Sequence, residues 1–409
     1  MAWGAGELED RTEVGSQSGR SAFPVASSLA ERGAVSEPGV RVRSQQQGGA
    51  IGSLSPPREL AATLSHATYL STKVFGSLDG LRALSILAVV WHHTQEGVHA
   101  WPIAYRGFLG VDLFFVISGF LIVTLLLRER RRTATISLRK FYVRRFLRIF
   151  PPYYGLLALV TIVALLKPGE QSNLIRRDLP YAFFYIANLV PMVSILNPTW
   201  SLAAEEQFYV VIPTLLKFAG RAFPALIAIA YVLFSLPPFG FFPSINLPTF
   251  FRETTFGPIL LGVMLAWVLD RASGYRWISQ LLGHFFTPAV ALAATLLLCN
   301  QPGDDISGFF RIGIHLCLVI LVAACVIRER HVLTPVLRWW PIGRIGAVSY
   351  GIYLYHLLAR HAVKSGMAFL GIRSQALFFL LTAIAAWAIA ELSYRLYESR
   401  FLALKSRWG

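Results

Sequence analysis

Residues 78–94 read LDGLRALSILAVVWHHT. The run is apolar and close to the ~20 residues that a helix needs to cross a hydrocarbon core. It nevertheless carries Arg82 near one end and the pair His92–His93 near the other. A plain anchor has no use for such groups, because an ionisable side chain inside a bilayer is costly and is retained for a task. On an α-helix, Arg82 and His93 project from nearly the same face, about 16 Å apart along the axis. His92 points about 100° away from that face.

The rest of the chain makes the same demand. Of its 409 residues, 55% are hydrophobic and only 15% charged, and mean hydropathy is +0.54. A soluble chain of this size carries far more surface charge. The long apolar runs lack the period-2 alternation of a barrel, so the expected fold is all-α, a polytopic transmembrane helical bundle. Net charge is +16, but the basic residues sit in short loops beside apolar runs, where they set membrane orientation. Membrane lipids are therefore the expected surroundings, and nucleic acid is not an expected partner. Cys299, Cys317 and Cys325 lie in or beside apolar runs and fit neither a disulfide framework nor a zinc site.

Residues 1–73 are rich in Ser, Gly, Gln and Arg and have little with which to form a core. A disordered tail is expected there, with the membrane domain at 74–409. No charged segment followed by an apolar one marks a signal peptide. A natural start nearer Val74 is one expectation.

Hydropathy predicts spans near 79–96, 107–127, 150–166, 202–219, 224–242, 254–269, 281–299, 309–327, 344–363 and 375–394. An eleventh candidate, 179–196, is interrupted by Pro180 and Pro191, with Asn188 in its middle. The basic segment RERRRTATISLRKFYVRRFLR (128–148) belongs on the cytoplasmic side. With ten spans, later basic clusters such as Arg271/Arg276 and Arg328/Arg330 fall on that side too; with eleven they switch. Ten spans with both termini inside are expected, 179–196 being re-entrant or partly inserted, in a cytoplasmic (inner) membrane.

The other candidates follow in chain order. GFLGVDLFFVISGF (107–120) brings Asp112 into the membrane at about the depth of His93. A carboxylate beside an imidazole orients it and stabilises its protonated form. Gly107, Gly110, Gly119 and Ser118 read as close helix packing. In FYVRRFLRIFPPYY (141–154), Arg145 and Arg148 share a face. They suit a phosphorylated ligand and equally anionic lipid headgroups. NPTWSLAAEEQFYVVIP (197–213) buries Glu205 and Glu206 in an apolar helix, and VSYGIYLYHLL (348–358) supplies Tyr350, Tyr353, Tyr355 and His356. An acid–base group of His93, Asp112 and Glu205 is thus expected towards the outside, and an anion site of Arg82, Arg145 and Arg148 towards the cytoplasm.

With LDGLRAL and His93, GVDLFFVISGFLI, FYVRRFLRIFPPYY, TWSLAAEEQFY and SYGIYLYH in this order, the chain resembles the acyltransferase 3 family of membrane O-acyltransferases from about Leu78 to Phe401. The resemblance implies that His93 is the catalytic base, with Asp112 and Glu205 beside it in the active site. Arg82, Arg145 and Arg148 would hold acyl-CoA, most simply acetyl-CoA. Trp200, Glu206, Tyr353 and His356 fall in the same motifs and are candidate substrate-binding residues. His92 stands where the family is usually apolar or aromatic. The chain stops at Gly409, so the form without the family's extra C-terminal hydrolase-like domain is implied. The implied acceptor is a hydroxyl of a carbohydrate, such as a lipid-linked glycan, or of a small secreted molecule such as a macrolide. No permanently bound cofactor or metal is expected.

Three other readings use similar residues. A proton-coupled transporter or channel also needs intramembrane His, Asp and Glu, but no internal repeat is visible. A metal-dependent hydrolase on His92, His93 and His99 lacks any HExxH-like motif. The signatures of the lipid-modifying membrane-bound O-acyltransferases are not visible.

Overall fold

Apolar runs of this length satisfy their backbone groups in lipid only by coiling into helices. The computed structural model shows that outcome over the residues it describes, 63–96, 102–235, 256–302, 306 and 308–404. No strand occurs among them. Before the first long run, α1 (His66–Ser71) is capped by the Ser65 hydroxyl, which accepts from the Thr68 N–H, and Tyr69 is 1% exposed. Helical structure is therefore already present inside the expected tail of residues 1–73. Residues 1–62 of that tail, and the question of its disorder, lie outside the described residues.

Four long helices follow: α2 (Gly76–Thr94), α3 (Gly110–Thr133), α4 (Leu138–Leu166) and, after a break, α6 (Thr199–Phe218). Between α4 and α6 lies the amphipathic α5 (Glu170–Phe183). Next come α7 (Phe223–Ser235), α8 (Phe256–Leu269), α9 (Ala272–Leu282), α10 (Thr287–Cys299) and α11 (Gly308–Ile327). Short α12 (Thr334–Leu337) and α13 (Trp340–Ala347) lead into α14 (Ser349–Phe369) and α15 (Gln375–Ser393).

The centre of the bundle is α3, with 83% of its apolar window buried inside the protein, against 28% for the last long helix. Glycine makes its neighbours' approach possible. A Cβ on Gly110 would lie 2.3 Å from the Ser85 carbonyl oxygen of α2, and one on Gly119 would lie 2.1 Å from the Ile259 carbonyl oxygen of α8. The small residues read as packing contacts in the sequence do pack. Large apolar side chains such as Leu166, Val210, Leu297, Leu380 and Ile384 remain exposed around the outside, as a protein surrounded by lipid requires.

Pairings along α2 set the directions of the helices that matter. Gly346, just before α14, abuts the Asp79 backbone; further along, His356 meets His93 and Lys364 meets Glu96. Helices α2 and α14 therefore run parallel. Helix α3 runs the other way, since Gly107 abuts the Ala88 backbone while Arg128 donates to the Thr72 carbonyl before α2.

The expectation of ten spans is not matched by length and hydropathy in the structure. Among the described residues, four helices are long and apolar enough to cross a membrane, five if α8 and α9, bent by 111°, count as one. Helices 220–235 and α10 are apolar but shorter. Helices α2, α6 and α14 fall outside that count although they are 19, 20 and 21 residues long. Between them they carry Arg82, His93, Glu205, Glu206 and His356, whereas Asp112, Arg145 and Arg148 lie on the counted α3 and α4. Segment 179–196 is not one helix: α5 ends at Phe183, and the Asp178 carboxylate accepts the N–H groups of Val193 (3.1 Å) and Ser194 (2.9 Å). An eleventh continuous span there is excluded. Likewise 344–363 is divided between α13 and α14.

Candidate active site

Helix α2 holds the two poles of the site. His93 sits near its end, half-buried, with Nδ1 2.9 Å from the Val89 carbonyl one turn back. A carbonyl only accepts, so Nδ1 carries the hydrogen and Nε2 keeps the lone pair that a base requires. His92 gives its Nδ1 to the Tyr105 carbonyl at 2.7 Å, and His356 gives its own to the Tyr353 carbonyl at 2.6 Å. The His93 ring lies 5.0 Å from His92 and 4.8 Å from His356, edge to face in both cases. His356 is 1% exposed, and its Nε2 has no hydrogen-bond partner among the described residues. A buried orphan of this kind costs about 1–3 kcal/mol, the kind of defect that a functional site retains.

At the other pole Arg82, 3% exposed, pairs with Asp79 at 2.8 Å. Arg82, Arg145 and Arg148 lie within electrostatic reach of one another. Arg145 stacks over Tyr209, 4.8 Å from the ring centroid. The arginine group inferred from the sequence is assembled, from α2 and α4. Arg148 also lines a second hollow with Tyr350, Tyr394 and Glu398.

Between the poles lies a cavity of about 460 Å³, its open mouth included, with Arg82, Ser118, Ser201, Glu205, Tyr350 and Tyr353 on its walls. Tyr353 is held by its hydroxyl, 2.6 Å from Ser201 Oγ, and it donates to the Pro198 carbonyl. Its ring lies 5.5 Å from that of His356. Tyr353 is thus the wall residue next to the imidazoles: ring contacts run from it to His356 and on to His93, which lie behind the wall and do not line the cavity. Trp200, half-buried, approaches Phe115 of the same wall, with ring centroids 6.4 Å apart. Glu206, also half-buried, lies within electrostatic reach of Glu205 and Arg145.

Two expected neighbours of His93 are elsewhere. Asp112 is 1% exposed and takes Arg311 at 2.8 Å and His315 at 3.2 Å, both from α11. Among the described residues, no hydrogen bond joins it to His93. Glu205 accepts from the Ser118 hydroxyl at 2.5 Å and from the Tyr209 hydroxyl, so through Tyr209 it belongs to the arginine end. The reason is geometric, because equal depth does not fix which faces of two helices meet. Sequence reasoning missed Arg311 and His315, Tyr209, the donor role of Ser118, and Arg360, whose Nε donates to the His93 carbonyl at 2.5 Å. Arg311/His315 and His356/Arg360 are each four apart in an apolar run, a signal that was available. His99, needed for the metal-site reading, lies outside the described residues.

Comparison with known proteins identifies the family. A peptidoglycan O-acetyltransferase of Listeria monocytogenes, OatA, is 28% identical over 373 residues, with 82% of this chain and 57% of the relative covered. A Bacillus subtilis protein provisionally named peptidoglycan O-acetyltransferase YrhL is 30% identical, with 78% of this chain and 54% of the relative covered. Provisionally named O-acetyltransferases of Staphylococcus aureus are 28% identical, with 83% and 59% covered. The chain therefore spans little more than half the length of these relatives. No solved structure matches. The family model described as an acyltransferase domain matches residues 75–391, from the turn before α2 into α15, and the chain belongs to that acyltransferase family.

Proposed function

We propose that this protein is an integral membrane O-acetyltransferase that moves an acetyl group from acetyl-CoA to a hydroxyl of a cell-envelope glycan. The observation that carries the reading is the pair of poles on α2, arginines at one and imidazoles at the other, with the cavity between them. The phosphates of the donor would meet Arg82, Arg145 and Arg148, where forked guanidiniums suit them. Its pantetheine arm would run along the cavity past Glu205 and Tyr353. His93 Nε2 then takes the proton of the acceptor hydroxyl while the oxygen attacks the thioester carbonyl. The C–O bond forms, the C–S bond breaks, and the proton passes to the departing thiolate. Confinement adds proximity to acid–base catalysis.

The basic end of α3 supports a cytoplasmic arginine pole, so His93 faces the far side, where the acceptor arrives. Parallel α2 and α14 fit this scheme, in which the shorter and more polar helices join the apolar ones to make ten crossings with both termini inside. The names of the relatives support a glycan acceptor.

The test uses membrane vesicles, labelled acetyl-CoA and an envelope glycan fraction. Wild type is expected to release CoA and label the glycan, whereas His93→Ala does neither. Arg145→Ala raises KM for acetyl-CoA at least tenfold and stays inserted. Solute movement without CoA release would favour a transporter. Full transfer by His93→Ala would remove the assigned base.

A further inference from the structure

Attack of a hydroxyl on a thioester produces charge in two places, a proton to be removed and an oxyanion to be stabilised. The imidazoles answer only the first need. In His92, His93 and His356 alike the Nδ1 hydrogen is committed to a backbone carbonyl, so their Nε2 atoms accept and do not donate. Asp112 and Glu205 are acceptors committed elsewhere. A donor must come from another residue.

Arg360 lies one turn beyond His356 on α14, with its side chain 22% exposed. Its Nε bonds the His93 carbonyl, which ties the guanidinium to the backbone of the base itself. Its Nη2 is 3.6 Å from Glu96, too far for a hydrogen bond, and Glu96 is held instead by Lys364 at 2.5 Å. A guanidinium has five N–H donors in a rigid fork. Only the one on Nε is bonded among the described residues. A cation fixed beside a general base opposes the base's protonation, so on its own it hinders catalysis. It becomes useful when a negative charge forms next to it.

We infer that Arg360 is a catalytic residue whose Nη groups hold the oxyanion formed when the acceptor oxygen attacks the acetyl carbonyl. This rests on the proposed acetyl transfer at His93. The balance is that of the transfer step: the carbonyl electron pair moves to oxygen, is held by Arg360, and returns as the C–S bond breaks. Glu96 and Lys364 form the rim of this end.

The test compares kcat and KM for acetyl-CoA in vesicles carrying the full chain as wild type, R360Q, R360K, K364Q or H93A. R360Q is expected to lose roughly 10²–10³ in kcat, with KM changed less than threefold. R360K keeps the charge and can still cap the end of α2, yet loses the fork, and its kcat should fall at least tenfold. K364Q should stay within twofold. Full turnover by R360K would reduce Arg360 to a helix cap and overturn the inference, even if R360Q failed to fold. An equal loss in K364Q would overturn it as well. An active H93A would instead bring down the base assignment, which separates the two failures.

Discussion

Replacing Asp112 by Ala should damage the fold far more than the chemistry. The carboxylate is 1% exposed and receives Arg311 at 2.8 Å, with His315 at 3.2 Å. Removing one partner of a buried pair leaves an uncompensated charge, at a cost of about 3–5 kcal/mol. Here the stranded group is Arg311, whose side chain is 18% exposed, so the lower half of that range applies. A fall in Tm of about 5 °C is expected for the full chain in detergent. Combining Asp112→Leu with Arg311→Met removes both charges and should recover most of the loss, as a thermal-shift double-mutant cycle would show. Acetyl transfer, normalised to folded protein, should stay within a few-fold of wild type. Should Asp112→Asn keep its Tm and lose roughly 10²–10⁴ in kcat, with no coupling to Arg311, Asp112 would be the partner of the base and the separation seen here would be wrong.

Other perturbations test other parts of the structure. Gly110→Ala would put a methyl 2.3 Å from the Ser85 carbonyl oxygen, so α2 and α3 must part; loss of monodisperse protein on size exclusion is expected, while Gly366→Ala, in open space, should be silent. His356→Phe removes the orphan nitrogen together with one hydrogen bond, so stability should stay within about 1 kcal/mol while transfer falls at least tenfold; unchanged transfer would make the orphan incidental. His331, in the loop after α11 and 3.1 Å from Ser77 Oγ, has its pKa pushed down to about 4 by burial, with Arg328 and Arg338 adding to the shift. Its folded pKa lies below the unfolded value, so the unfolded state binds the proton better and stability falls as pH drops from about 6.5 towards 4. Between pH 7 and pH 5 the loss is on the order of 2 kcal/mol, and His331→Gln should flatten that part of the Tm–pH curve.

What could be read in the sequence was whatever lies along one helix. The distance between Arg82 and His93, the shared face of Arg145 and Arg148, and the close approach at Gly110 and Gly119 all follow from helical spacing. Contacts between helices did not follow. Asp112 meets Arg311, which is 199 positions away, because α11 rather than α2 presents a cation to that face of α3. Depth in the membrane was a guide to height and not to rotation, and this put Asp112 and Glu205 beside a histidine they do not touch. Hydropathy failed differently. It located α8 and α10 but not the 111° bend after α8 or the shortness of α10.

The polar groups therefore form separate islands: imidazoles with Arg360, arginines with Tyr209 and Glu205, and Asp112 with Arg311 and His315. The Asp112 island is paired and hydrogen-bonded within itself, the condition for keeping such groups inside an apolar bundle, whereas the imidazole island keeps the orphan His356 Nε2. Separation also has a chemical consequence. In the proposed transfer, a carboxylate bonded to His93 would hold the proton more tightly once taken, whereas the thiolate would have to receive that proton in the same turnover. His93 instead has a carbonyl on Nδ1 and the Arg360 guanidinium on its backbone carbonyl, with no carboxylate bonded to its ring among the described residues. Under the proposed function, carboxylates set apart from His93 would suit a base that returns its proton rapidly, with charge stabilisation left to the proposed oxyanion donor.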